Sequence, residues 1–392
     1  MTLGQLVTSL TAFLVITVIA SLLTPEEFGL YRFVLSVLLI VGIANLPGLD
    51  TAIIQSTAKG YENSLEAVAR YKMKWSLWGS AASLCFAAYY FIFGNTILGT
   101  SFIIVSALLP FYGSFFVYFF YLQGRERFGE AAFIQGITRV LFVLFALGGI
   151  YLYPNAVVAL ALFLIGTIVS QFAGYMYVRR KYLLENDTES KADPELYAYG
   201  KKLTLLGSAN IVATNIDKVI TWYVLGPVAT AIYTIATLLP LESIRIGRIM
   251  SQVMLPRFSK NNRINIRDFL IKLLLIEACL FICWVIYALG VELFFSIFFS
   301  QYLDAVGYTI VAGLIILTAP AYIMRSYFTA RKEEETLKIV LIGIPVVKTL
   351  LLLVLIYPYG VWGAITAFVL GGVFEVMLTS FYFIKALELS SS

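Results

Sequence analysis

A run of about twenty apolar residues, long enough to cross the ~30 Å hydrocarbon layer of a bilayer as one helix, recurs along this 392-residue chain. Twelve such runs are predicted, at 3–23, 30–56, 71–93, 101–122, 131–151, 156–178, 202–224, 228–250, 268–289, 304–325, 336–356 and 361–384. Within them apolar residues are continuous rather than alternating, so they read as helices and not as barrel strands. Composition points the same way. Charged residues make up 13% of the chain, where a soluble domain carries roughly 25%, and 60% are hydrophobic. Most of the surface therefore faces lipid, which excludes an ordinary soluble enzyme. The 30 Phe, 25 Tyr and five Trp suit the aromatic belts at bilayer headgroups. The first run carries no charge, is too long for a signal-peptide core and lacks a basic flank and a cleavage site, so it is expected to stay in the membrane.

The chain has no histidine, which removes the usual acid and base at neutral pH and the commonest metal ligand. Cys85, Cys279 and Cys283 lie inside apolar runs and read as buried thiols, not as a disulfide framework or metal site. No phosphate-cradling glycine loop occurs, and no sizeable extramembrane domain is left to bind a nucleotide. The chain is expected not to be an enzyme and to need no cofactor.

The basic residues report orientation. With the N-terminus placed in the cytoplasm, 24 of the 28 Lys and Arg fall on inward connections and the C-terminal tail, as in Arg179-Arg180-Lys181. This positive-inside pattern predicts a multi-pass protein of the inner (cytoplasmic) membrane with both termini cytoplasmic. The excess of basic residues is thus a topology signal, and no nucleic-acid partner is expected. Four cations remain inside apolar runs: Arg32, Arg139, Lys218 and Lys348.

The longest polar stretch separates runs six and seven. It predicts an N-terminal six-helix lobe over 1–180, a cytoplasmic linker over 181–201 and a C-terminal six-helix lobe over 202–392. An internal match supports duplication: Leu23, Pro25 and Tyr31 recur as Leu225, Pro227 and Tyr233 at a constant offset. A looser pair is Tyr153-Pro154 and Tyr357-Pro358. Both copies of the first motif open the second helix of a half on the same side, so the halves run in parallel.

Several of these residues carry a resemblance. Leu-x-Pro-Glu-Glu-Phe-Gly-Leu-Tyr at 23–31, Asn215-Ile216-Asp217-Lys218, Leu255-Pro256-Arg257-Phe258-Ser259 and Tyr359-Gly360-Val361-Trp362-Gly363-Ala364 stand in order at matching helix positions. The chain resembles the polysaccharide-biosynthesis, or oligosaccharide flippase, branch of the multidrug/oligosaccharidyl-lipid/polysaccharide exporter superfamily. The resemblance implies an all-α polytopic membrane protein, with 12 transmembrane helices in two pseudo-symmetric six-helix lobes around a central cavity. It also implies that spans 3, 6, 9 and 12 are peripheral.

The function implied is a transporter that flips a polyprenyl-diphosphate-linked oligosaccharide from inner to outer leaflet by alternating access. A charge at the bilayer centre costs roughly 2.5–3.5 kcal/mol on insertion scales, so the four leftover cations are expected on a wet interior surface. Arg139, Lys218 and Lys348, with Arg32 at the outer end of its span, would bind the diphosphate. Arg32 has the alternative of snorkelling to the interface. Asn210, Thr214, Asp217 and Thr221 follow helical spacing and read as one polar stripe in span 7; Asn210 and Thr214 would meet the glycan. Asp50, Asp217 and Glu242 are candidates for coupling to H+ or Na+, with ion pairing the alternative: Asp217 to Arg139 or Lys348, and Asp50 and Glu242 to Arg245. Glu277 and Glu375 receive no role. Asn45-Leu46-Pro47-Gly48 interrupts span 2, and Pro110, Pro240, Pro320 and Pro345 fall within other spans, where bends suit alternating access. Partners implied are the lipid-linked glycan, membrane lipid, a polysaccharide polymerase and glycosyltransferases. Two other functions compete: an ion-coupled multidrug or small-molecule antiporter of the same superfamily, and a non-transporting membrane scaffold whose buried charges all pair off.

Overall fold

A computed structural model describes residues 2–61, 63–182, 193–260, 266–331, 333, 335–336 and 339–391. Side chains are described within these ranges except at 2–10, 243, 245–260, 266–270, 272, 329–330 and 387–391. The described residues are helical with no strand. Seven segments are long and apolar enough to cross a membrane, and the chain is a multi-pass membrane protein. Two of these segments, Leu196–Glu242 of 47 residues and Ile339–Ala386 of 48, would extend about 70 Å as single helices, over twice the hydrocarbon thickness. Both are broken inside.

The chain packs as two compact units, Met1–Asn215 and Ile216–Ser392. Unit 1 holds α1 (Thr2–Leu22), α2 (Pro25–Val41), α3 (Gly48–Ala58), α4 (Ser64–Ile92), α5 (Thr96–Leu108), α6 (Val117–Gly124), α7 (Phe128–Leu152), α8 (Ala156–Tyr182) and α9 (Leu196–Ala213). Unit 2 holds α10 (Ile216–Lys260), α11 (Ile266–Phe298), α12 (Val306–Gly313), α13 (Pro320–Arg331) and α14 (Ile344–Ser391).

The predicted interruption of span 2 is a real break. A short 3₁₀ turn over Gly42–Asn45 ends at Leu46, whose φ of 55° and ψ of 64° are left-handed, and Pro47 then caps the start of α3. Two of the other prolines act as breakers rather than as mid-helix kinks. Pro110 lies in the turns between α5 and α6, and Pro320 begins α13, where a missing N–H costs nothing, whereas Pro345 follows a π-helical turn over Ile339–Gly343.

The repeated motif opens a helix each time. Thr24 and Glu27 form a capping box around the start of α2, with Pro25 in its first turn. In the second copy Gly226 turns the chain with φ 84° and ψ −173°, and Pro227 begins the next helical arm. Tyr31 and Tyr233 are both buried. The looser pair also falls at chain reversals. Tyr153-Pro154 lies between α7 and α8, and Tyr357-Pro358 precedes Gly360, where φ of 57° and ψ of −132° interrupt α14.

The units divide past the expected linker, of which 183–192 lies outside the described residues. Helix α9, expected at the head of the C-terminal lobe, packs in unit 1. Gly48 and Gly200 bring α3 and α9 together so closely that a Cβ on Gly48 would run into Gly200 O and the Thr204 amide, and one on Gly200 into Leu49. Thr204 Oγ1 accepts from the Gly48 N–H at 2.9 Å. Leu196 is buried in the unit 1 core, Tyr197 stacks on Tyr71 at 4.1 Å, and the Gln55 amide donates to Tyr199 Oη at 3.2 Å. Gly48→Val is expected to cost about 3 kcal/mol, at the upper end of overpacking penalties, because a Cβ there meets the backbone at Gly200 O and the Thr204 amide rather than a pliable side chain. A thermal melt in detergent, compared with Gly207→Val where a Cβ meets open space, measures the difference.

The cysteines depart from expectation. All three are free and exposed. Cys279 and Cys283 lie on α11, whose membrane stretch is almost wholly uncovered by the rest of unit 2. An apolar thiol is as comfortable against lipid tails as in a core, so apolar neighbours in sequence did not distinguish the two.

Candidate functional site

The expected stripe of span 7 does not exist as one helix face. Helix α9 ends at Ala213 and α10 begins at Ile216, and the polar residues serve the break. Thr214 Oγ1 donates to Asn210 O at 2.9 Å and lies 3.1 Å from Ile211 O, and Asn215 Nδ2 donates to Ile211 O at 2.8 Å. These side chains add to the backbone bond that Thr214 N–H already makes to Asn210 O at 3.0 Å and cover the carbonyls of the last turn. On the other side Asp217 Oδ1 accepts from the Lys218 N–H at 2.8 Å, an N-terminal bond of the same local kind. Short polar side chains compete in this way with the helix they interrupt. Asn210 and Thr214 are exposed within the chain, whereas Asp217 and Thr221 belong to unit 2, with Thr221 Oγ1 donating to Asp217 O at 2.7 Å.

The remaining candidates fall into separate charge centres. In unit 2, Asp217 holds Lys218, whose Nζ lies 2.9 Å from Oδ1 and 3.1 Å from Oδ2. Tyr233 donates its hydroxyl to the same carboxylate at 2.9 Å. Lys218 is buried. Asp217 is thus paired, with the neighbouring lysine rather than with Arg139 or Lys348.

Lys348 also has an acid. Its Nζ lies 2.9 Å from Glu375 Oε2, and Arg325 Nη2 lies 2.6 Å from Glu375 Oε1. Glu375 is buried, although its helix was expected to be peripheral. Arg325, one of the 24 cations that the positive-inside pattern places on inward connections and the C-terminal tail, folds into α13 against this carboxylate. The signal was present as an acid in an otherwise uncharged apolar run.

In unit 1, Asp50 accepts from Lys72 Nζ at 2.6 Å, and the Lys72 side chain is 2% exposed. Lys72 too had been assigned to an inward connection. Beside this pair, Asn45 Nδ2 reaches Ser76 Oγ at 2.8 Å, Ser114 Oγ at 2.9 Å and Tyr112 O at 3.0 Å, and Ser76 Oγ donates to Lys72 O. The break at Leu46 and Pro47 is therefore tied to α4 and to the turns after α5. Asn45 was read only as part of an interruption, since its partners lie far along the chain.

Arg139 differs from these. It projects from the middle of α7, half-buried, with its guanidinium 5.9 Å from the centre of the Phe142 ring. Its helix neighbour Thr138 shares a 3.2 Å hydrogen bond with Tyr118 Oη. No acid among the described residues forms an ion pair with Arg139. Arg32 is half-buried on α2, and its carbonyl accepts from Ser36 Oγ at 2.9 Å. Glu242 is half-buried in α10; its expected partner Arg245 has a side chain outside the described residues.

Known proteins place these centres in context. A family model described as polysaccharide biosynthesis protein matches residues 1–262. No curated protein sequence matches the chain. Among solved structures, an inward-facing multidrug resistance transporter of the MATE family and MOP superfamily aligns over 97% of this chain and 95% of its own, with a TM-score of 0.72 and 14% identity. The lipid II flippase MurJ, in an inward closed conformation, aligns over 100% of this chain and 91% of its own, with a TM-score of 0.67 and 15% identity. A MOP superfamily transporter from Pyrococcus furiosus aligns over 99% and 94%, with a TM-score of 0.57 and 14% identity. At these identities the likeness is one of fold.

Proposed function

Since the chain belongs to the polysaccharide biosynthesis protein family, we propose that this transporter of the MOP fold flips a polyprenyl-diphosphate-linked oligosaccharide from the inner to the outer leaflet. In this reading it crosses the inner membrane twelve times, with both termini cytoplasmic, and works by alternating access. A polymerase and glycosyltransferases would act on the same glycan. The fold shared with a lipid II flippase supports a lipid-linked substrate.

Arg139 is the observation that carries the reading. A guanidinium in a membrane helix needs an anion, and none of the described acids supplies one. A diphosphate does so well, because Arg presents several N–H groups to phosphate oxygens in short, charge-assisted bonds. Lys218 and Lys348 are already paired with Asp217 and Glu375. They would reach substrate only by giving up those partners.

The purified full-length protein in proteoliposomes, given a fluorescent polyprenyl-diphosphate oligosaccharide, tests the proposal. Protected label is expected to become accessible faster than in protein-free vesicles, while a cationic dye is not moved. Dye movement without glycan movement would replace the proposal with the antiporter.

A further inference from the structure

The three-membered cluster in unit 2 has a charge pattern that the substrate reading alone does not explain. Glu375 presents one oxygen to each of two cations: Oε1 to Arg325 and Oε2 to Lys348. The cluster joins α13 to both arms of α14. Lys348 stands twelve residues before the turn at Gly360 and Glu375 fifteen after it. At 1.5 Å per residue these lie about 18 Å and about 22 Å from the turn, so two antiparallel arms meet at similar depth. Gly371 makes the meeting possible, because a Cβ there would collide with the Lys348 stem. That stem is held against the backbone and is not free to snorkel towards the interface.

Exposure within the cluster is graded. The Glu375 side chain is 5% exposed, Arg325 23% and Lys348 36%. The two cations are thus more open than the carboxylate that joins them. With Glu375 ionised the cluster carries one net positive charge, and without it two.

From this arrangement we propose that Glu375 is an internal stand-in for the substrate's diphosphate. It occupies the paired-oxygen seat between Arg325 and Lys348 whenever substrate is absent, and yields both cations when substrate arrives. The inference rests on the flippase reading and gives it a second phosphate contact point. An exporter of an anion must return empty, and two bare cations in a low-dielectric setting oppose that return. An intramolecular carboxylate removes the obstacle. It also weakens anion binding by competing for the same donors, which favours release.

Full-length Glu375→Gln protein in lipid nanodiscs, titrated with inorganic pyrophosphate, provides the test alongside the flipping assay. Glutamine keeps the shape but not the charge. Pyrophosphate is expected to bind at least about tenfold tighter than to wild type, and glycan flipping to slow at least about tenfold. Lys348→Met covers the case in which the glutamine variant fails to fold, since it relieves the cluster of a cation instead of an anion; it is expected to weaken pyrophosphate binding about tenfold. Unchanged or weaker binding in Glu375→Gln, or unchanged binding in Lys348→Met, overturns the stand-in role. If wild type flips the glycan while the variants bind as wild type does, the inference alone fails. If wild type flips nothing while the tenfold changes in binding appear, the flippase reading fails and the anion-exchange cluster stands.

Discussion

Arg139→Met is expected to lose most of the proposed flipping of a diphosphate-linked glycan, tenfold to a hundredfold, at unchanged protein level and melting temperature. Hydrogen bonds to charged groups are worth about 1.5–3 kcal/mol each, and one such bond to a phosphate oxygen accounts for that range. Stability is expected to hold because Arg139 forms no ion pair with a described acid, so its removal orphans no buried carboxylate. Methionine retains the apolar stem. Arg139→Lys separates two roles: a point charge restores part of the activity if charge alone matters, and little if the guanidinium's planar fork is needed. Initial rates in proteoliposomes across the three proteins decide the matter, and wild-type rates in Arg139→Met would remove this residue from the substrate path.

Asp50→Ala has the largest expected effect on stability. Lys72 is almost fully enclosed, and its Nζ depends on Asp50 Oδ1. Deleting one member of a buried ion pair costs about 3–5 kcal/mol, because the survivor is left charged and dry. A drop in melting temperature on the order of 10 °C follows. The double variant Asp50→Ala/Lys72→Met is expected to regain most of the loss, since two apolar groups can replace a buried pair at little cost. Recovery in the double variant identifies Asp50 as chiefly a structural partner. If Asp50→Ala melts like wild type but flips slowly, the residue belongs to ion coupling instead.

How far the sequence could be read depends on whether the forces involved are local. Length and hydrophobicity place the helices, because crossing lipid imposes both on each segment separately. The break at Leu46 and Pro47 was legible for a similar reason: proline restricts its own neighbourhood. The span 7 stripe was not, because spacings of four, three and four residues form a face only if the helix continues. The same Asn and Thr residues that would line a face can close on their own backbone and end it. Lys72 and Arg325 were misplaced because counting cations by topology assumes that those near a span's end are wet. Their acids, Asp50 and Glu375, are 22 and 50 residues away, and only tertiary packing brings them together. Arg139 was legible as a misfit in an apolar run, and it remains the candidate the fold leaves most available.

The close contact of Gly48 with Gly200 also bears on how the protein is made. Helix α9 follows the polar stretch, so it leaves the ribosome after the other helices of the unit to which it belongs. Until it arrives, the Gly48 N–H lacks Thr204 and the surface of α3 is open. The first unit therefore cannot be finished until the chain beyond the polar linker has been synthesised. The polar stretch and the boundary of the compact unit fall at different places in this chain, and any attempt to express the units separately must cut at the second.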